Sequence, residues 1–295
     1  MRGILHGAGT GRQLVMQILE KQISQKSEKA DERGTEKRRK RDMAESKEKA
    51  VPVRMELRHV CFSYPNTMQK ALDDISLVFE SGTCYCIEGP NGCGKSTLFR
   101  ILLGLDFPDT GEYLFEARQI TEKTMKSESF RSAFYRKIGF LFQDSEIQLF
   151  TASVEEEIAF GLEQLGKPEE EIRDITEKYL RMFGLTEIRG RAPFNISGGE
   201  KKRTALAAVC AMNPEVLVMD EPLAGLDEEG QAWVTGMIQR LKQEGHLLII
   251  ATHSRPFAEE MADVHVKMDR NHHVTELIRG TADGQKTEEN KKSNL

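Results

Sequence analysis

Four short runs along the chain are apolar at every position rather than at every second one: Tyr85 to Ile87, Ile138 to Phe142, Val216 to Met219 and Leu247 to Ala251. A strand with one wet face alternates. One that is apolar throughout must be covered on both faces, as in a parallel sheet flanked by helices. Helical spacing lies between the runs. Leu98, Ile101 and Leu102 follow the first of them. Further on, Ile172, Ile175, Tyr179 and Phe183 make one stripe, with Pro168 at its start and Gly184 at its end; proline suits a first helical turn and glycine the position past the last. The stretch from Val53 to Ile87 reads differently, as shorter strands with turns, an antiparallel layer ahead of the parallel one. The predicted class is α/β.

The pattern fades at both ends. From Gln25 to Ala50 there is hardly an apolar side chain, and Lys37 to Arg41 is an unbroken basic run. Such a segment buries too little surface to offset its ordering entropy, so residues 1–50 are expected to be a poorly ordered charged extension. Leu14, Val15, Ile18, Leu19 and Ile23 have helical spacing within it, and Met43 and Met55 are alternative starts. Residues 281–295 are expected to be a loose polar tail. The expected domain is therefore 51–280.

Composition changes this picture little. The chain has 295 residues, 39% hydrophobic and 30% charged, with a formal net charge of -5, so no global basic field recruits nucleic acid. No apolar run reaches the ~18 residues of a membrane-spanning helix, and the start lacks the apolar core of a secretory signal. The five cysteines, Cys61, Cys84, Cys86, Cys93 and Cys210, show no zinc-type pairing and read as reduced thiols.

The chemistry is more specific. Gly89, Pro90, Asn91, Gly92, Cys93, Gly94, Lys95, Ser96 and Thr97 fit G-x-x-x-x-G-K-[ST] in full, between an apolar run and a helical segment. Glycines let backbone N–H groups turn inward as an anion nest, and the helix N-terminus adds favourable potential. Lys95 is placed to bridge the β- and γ-phosphates of ATP, and Ser96 to bind Mg²⁺. The run from Val216 ends in two carboxylates, Asp220 for the Mg²⁺ shell and Glu221 to orient and deprotonate the attacking water. Ser197 with Glu200 makes a capping box for a following helix. Each of these polar groups follows an apolar run or opens a helix, which is where open α/β sheets bind ligands.

In Asn195-Ile-Ser-Gly-Gly-Glu-Lys-Lys-Arg203 the chain resembles the ABC ATPase family, whose signature reads Leu-Ser-Gly-Gly-Gln; Ile196 stands for the leucine and the charged Glu200 for the glutamine. The resemblance covers about residues 53–270. It implies a P-loop NTPase core with a mostly parallel sheet, an N-terminal antiparallel β layer and an inserted α-helical subdomain at about 145–205. By the same resemblance Ser197, Gly198 and Gly199 face the ATP of a second chain. Gln143 is the Q-loop glutamine at the γ-phosphate and Mg²⁺, Ala224 to Asp227 the D-loop, His253 the switch histidine, and Tyr64 the aromatic stacking on adenine.

Within the family, Phe62-Ser-Tyr-Pro65, Gln148-Leu-Phe150, Val154 to Gly161 and Pro193-Phe-Asn195 are similar to the energy-coupling factor, or cobalt-type, ATPases, although Asp144 to Ile147 replaces the usual Asn-Pro-Asp-Asp. That resemblance implies an ATPase working as a homodimer or heterodimer at the cytoplasmic face of the membrane. Its partners are a transmembrane coupling protein and a substrate-binding membrane protein for a vitamin or metal ion, with no nucleic acid expected. The competing classes are a non-transport ABC ATPase acting on nucleic acid or ribosomes, and a metabolite kinase. The first lacks here its long coiled-coil insertion or second cassette; Ser197 to Gly199 and His253 argue against the second.

Overall fold

The computed structural model describes residues 53–67 and 69–280, and the backbone of 286–289. The expectations for residues 1–50, including the helical spacing at 14–23, lie outside the described residues.

Two sheets form the body. A four-stranded antiparallel sheet, in the order β2-β1-β4-β5, contains β1 (Arg54–Ser63), β2 (Lys70–Glu80), β4 (Thr110–Phe115) and β5 (Arg118–Gln119). The seven-stranded sheet runs β11-β10-β9-β3-β8-β7-β6. Its strands β3 (Cys84–Glu88), β6 (Ile138–Leu141), β7 (Val216–Asp220), β8 (Leu247–Ala251) and β9 (Val264–Met268) are parallel to one another. The strands β10 (Val274–Gly280) and β11 (Lys286–Glu289) extend that sheet antiparallel.

The continuous apolar runs have a simple cause. Successive side chains point to opposite faces, and both faces are buried. Tyr85, Ile87, Val216, Val218, Leu247 and Ile249 enter one core with Met55, Leu57, Phe79 and Tyr113 of the antiparallel sheet. Cys84, Cys86, Leu217, Met219, Leu248 and Ile250 enter a second core against helices. The expected antiparallel layer needs one correction: it ends at Glu80, is completed by β4 and β5 from later in the chain, and β3 leaves it for the parallel sheet. The first four residues of β3, Cys84 to Ile87, are all apolar and buried, too apolar a run for a sheet with one exposed face.

After β6 come α4 (Ser145–Gln148), α5 (Val154–Gln164), α6 (Glu169–Met182) and α7 (Gly198–Ala211), of which the last three pack on the second core; α1 (Lys95–Leu102), α2 (Glu122–Met125) and α3 (Glu128–Lys137) lie earlier in the chain. The stripe expected on α6 packs as read. Ile172, Ile175 and Tyr179 lie against the core and Phe183 is fully buried, with Gly184 at φ 64 past the helix end. Two further helices, α8 (Glu228–Gln243) and α9 (Arg255–Met261), flank β8. At the other end, 286–289 pairs with Leu277 to Gly280 where a loose tail was expected; the open edge of β10 offers unpaired backbone groups that template a strand.

Candidate functional site

The segment Gly89–Gly94 links β3 to α1, with Gly94 as N-cap at φ 109, and Lys95 to Thr97 open the helix. That conformation is open to glycine, and a Cβ there would sit 2.5 Å from the Ala71 carbonyl oxygen. Gly89 has the same constraint, 2.6 Å from the Met268 carbonyl oxygen. The loop thus packs against β2 and β9 through backbone contacts that no side chain fits. Lys95 is buried and donates to Gly89 O at 2.8 Å and Pro90 O at 3.3 Å, so its ammonium lies inside the loop's own curve.

A cleft of about 540 Å³ opens above the loop. It brings together Tyr64, Asn91, Gly92, Gly94, Lys95, Ser96, Thr97, Gln143, Asp220, Glu221 and His253. These come from the ends of β1, β3, β6, β7 and β8, which is the shared rim expected for an open α/β sheet. Tyr64 is 38% exposed beyond β1, not packed in the core. Its hydroxyl lies 3.1 Å from Thr97 Oγ1 and its ring makes a T-shaped contact with Phe62.

Two carboxylates end β7. Burial first, and then the charge of Glu221, push the Asp220 carboxyl up to about 6; Lys95, Lys202 and His253 pull it the other way. Glu221 has φ 46, uncommon for a residue with a side chain, and its N–H donates to Ala251 O at 2.9 Å, pinning the turn to β8. Its Oε2 accepts from the His253 N–H at 3.2 Å. Its Oε1 is buried without a hydrogen bond, and His253 Nε2 stands 3.4 Å away. The switch-histidine candidate and the base candidate are therefore neighbours.

The Ser197 turn is elsewhere. Gly198 lines a second, wider cleft of about 1020 Å³ that shares Tyr64, Ser96, Gln143 and Asp220 with the first. Ser197 and Gly199 line neither cleft. The capping box is formed: Ser197 Oγ accepts from Glu200 N at 3.3 Å, and Glu200 Oε2 accepts from Ser197 N at 2.7 Å. These bonds from Ser197, with attraction from Arg203 and Arg191, hold the Glu200 carboxyl below the usual range. The charge that distinguishes this signature is thus turned back on its own helix end. Two cleft residues had no separate sequence signal. His272 sits in the β9–β10 turn, and Lys202 stands in the sequence only as part of the signature run.

A phosphate loop and paired carboxylates on the carboxyl rim of a parallel sheet define a nucleotide-binding ATPase. The family model for ABC transporters matches residues 72–224. The nickel import ATP-binding protein LarO of Lactiplantibacillus plantarum is 38% identical over 232 residues, 78% of this chain and 95% of that one. The energy-coupling factor transporter ATP-binding protein EcfA of Methanoculleus marisnigri is 39% identical over 202 residues, 68% of this chain and 70% of that one. Among solved structures, cbiO1 of Clostridium perfringens, part of the cbiONQ transporter complex, superposes with TM-score 0.67 at 32% identity, over 76% of this chain and 87% of that one. A dimeric ATP-binding cassette holding ADP and Pi has the same fold, with TM-score 0.69 at 24% identity over 76% and 98% of the two chains. The chain belongs to the ABC transporter family: it is an ATP-binding, ATP-hydrolysing subunit of the kind that dimerises and works with transmembrane components. Among the described residues no helix is long and apolar enough to cross a membrane.

Proposed function

We propose that this chain is the ATPase of an energy-coupling factor type importer for a small micronutrient, a vitamin or a metal ion. It acts peripherally at the cytoplasmic face of the membrane, with a transmembrane coupling protein and a substrate-binding membrane protein. The observation that carries the reading is the convergence of Lys95, Ser96, Gln143, Asp220, Glu221 and His253 on one cleft, in a chain whose relatives include proteins named for energy-coupling factor transport and nickel import.

In this reading the exposed ring of Tyr64 stacks on adenine, and the backbone from Gly89 to Thr97 cradles the phosphates. Lys95 turns from its loop carbonyls to the β- and γ-phosphates. Ser96, Gln143 and Asp220 offer only oxygen donors, the set that suits Mg²⁺. Mg²⁺ bound there supplies neutralisation of the charge that builds on the phosphoryl oxygens. Glu221 orients and deprotonates the attacking water, and His253 holds Glu221 while reaching the γ-phosphate. The N-terminus of α7, Ser197 to Gly199, faces outward to the nucleotide of a second chain, a homodimer or heterodimer mate.

The test is one purification. Glu221→Gln, drawn from membranes in mild detergent, should bind ATP, hydrolyse it at least about 10²-fold more slowly, as expected for a lost positioned base, and accumulate as an ATP-bound dimer with an integral membrane partner. Near-normal hydrolysis sinks the base assignment. Nucleic acid or ribosomes in place of a membrane partner sinks the importer.

A further inference from the structure

Lys202 lies one turn into α7 and is 3% exposed. Its ammonium donates to two consecutive main-chain carbonyls, Phe142 O at 3.3 Å and Gln143 O at 2.8 Å. Both bonded partners are neutral. Asp144, Asp220 and Glu221 attract it only at longer range. A buried ammonium carries a large desolvation cost, and nothing about α7 as a helix requires one at this position.

What it grips is a loop already closed on itself. Gln148 Oε1 accepts from Phe142 N at 3.2 Å, and Gln148 Nε2 donates to Phe140 O at 3.4 Å. Asp144 Oδ1 accepts from Glu146 N at 2.9 Å and caps α4. Beside Lys202, Lys201 forms an ion pair with Glu146. Residues 142–148 therefore make a compact unit, strapped to α7 by two adjacent lysines. Without the buried strap, the main chain at Gln143 is anchored only through its neighbours.

We propose that Lys202 is a positioning residue: it locks the Gln143 main chain to the helix whose N-terminus carries Ser197 to Gly199, so that the Gln143 side chain is presented to the cleft from a fixed place. The inference deepens the reading above and rests on its role for Gln143. Through this tie a displacement of Gln143 at one nucleotide moves α7, whose end serves the other.

Four variants test it: Lys202→Met, Lys202→Gln, Gln143→Ala, and Lys202→Met with Gln143→Ala. In Lys202→Met, hydrogen exchange across 142–148 should quicken, while a fluorescent ATP analogue in EDTA binds within about twofold of wild type. With Mg²⁺, kcat should fall about tenfold with KM for ATP nearly unchanged, the mark of a group acting after binding. Lys202→Gln, whose amide can donate to the same carbonyls, should recover most of the loss and remains the informative variant if Lys202→Met does not fold. In the Gln143→Ala background Lys202→Met should cost nothing more, because both changes remove one effect. Additive losses, loss of analogue binding, unchanged exchange, or no recovery by Lys202→Gln would each overturn the proposal. If wild type hydrolyses no ATP, the functional reading fails instead, and the exchange and analogue measurements still decide the tie.

Discussion

Asp220 lets the electrostatics of the cleft be weighed against stability. Its carboxyl is pushed from 3.8 up to about 6, by burial first and by Glu221 second. A folded pKa above the unfolded one means that the native chain binds this proton more tightly. Stability from the protonated form is fully present below about pH 4 and is lost as pH rises through about 6. Two pH units at about 1.4 kcal/mol each put the loss near 3 kcal/mol at most. Asp220→Asn keeps the shape and removes the titration. Free of nucleotide and metal, the variant should outlast wild type at pH 7.5 by up to about 3 kcal/mol, or about 6–12 °C at the 2–4 °C per kcal/mol of domains this size. The gap should close towards pH 4. Calorimetry of both proteins in EDTA across pH 4 to 8 reads it directly. A difference that does not change with pH, or an Asn variant less stable at pH 7.5, would refute the assignment of strain to this carboxylate. Adding ATP with Mg²⁺ should reverse the order, since ligand binding stabilises only the chain that can complete the site.

Gly94→Ala puts a Cβ 2.5 Å from the Ala71 carbonyl at φ 109, so nucleotide binding should be lost in a fluorescent-analogue titration while far-UV circular dichroism stays near wild type; retained binding would show that the loop can relax. Tyr64→Ala should weaken ATP binding by about tenfold or more, given base–aromatic stacking of about 1–3 kcal/mol, whereas Tyr64→Phe keeps the ring and should lose about threefold or less with its hydroxyl contact to Thr97.

Four of the parallel strands, β3, β6, β7 and β8, are legible because burial on both faces makes their runs almost wholly apolar. Strand β9 is not legible in the sequence: Val264, Val266 and Met268 alternate with His265 and Lys267, and His265, though polar, is buried with Glu88 2.8 Å away on the neighbouring strand. Strands β1 and β2 looked shorter than they are, since His59 at φ 49 and Asp74 at φ 52 break their alternation and shift their register. Strand β4 opens with three exposed residues before Tyr113 and Phe115 reach the core. The phosphate loop was legible because its spacing is local. The clustering of Gln143 and His253 with it depends on strand order, which no single stretch of sequence states. Lys202 was not legible as a site residue at all: its partners lie 59 and 60 residues away and are main-chain carbonyls, which leave no residue-type signal.

The same geometry bears on the charged signature. A helix start leaves four backbone N–H groups without helical partners. In α7 the box takes two of the donors nearest this end, Ser197 N by the Glu200 carboxylate and Glu200 N by the Ser197 hydroxyl. Those it leaves over include Gly198 and Gly199 N–H, which no Cβ screens. A carboxylate folded onto the cap lowers the positive potential there, so the end attracts a phosphate less strongly before a partner arrives. It still offers the same two directed donors once a second chain's γ-phosphate is brought against them. In the proposed dimer, affinity at this contact therefore comes more from aligned donors than from diffuse charge. Alignment is what a lysine tie between α7 and the Gln143 loop would control, and it links the signature's departure at Glu200 to the buried Lys202 two residues on.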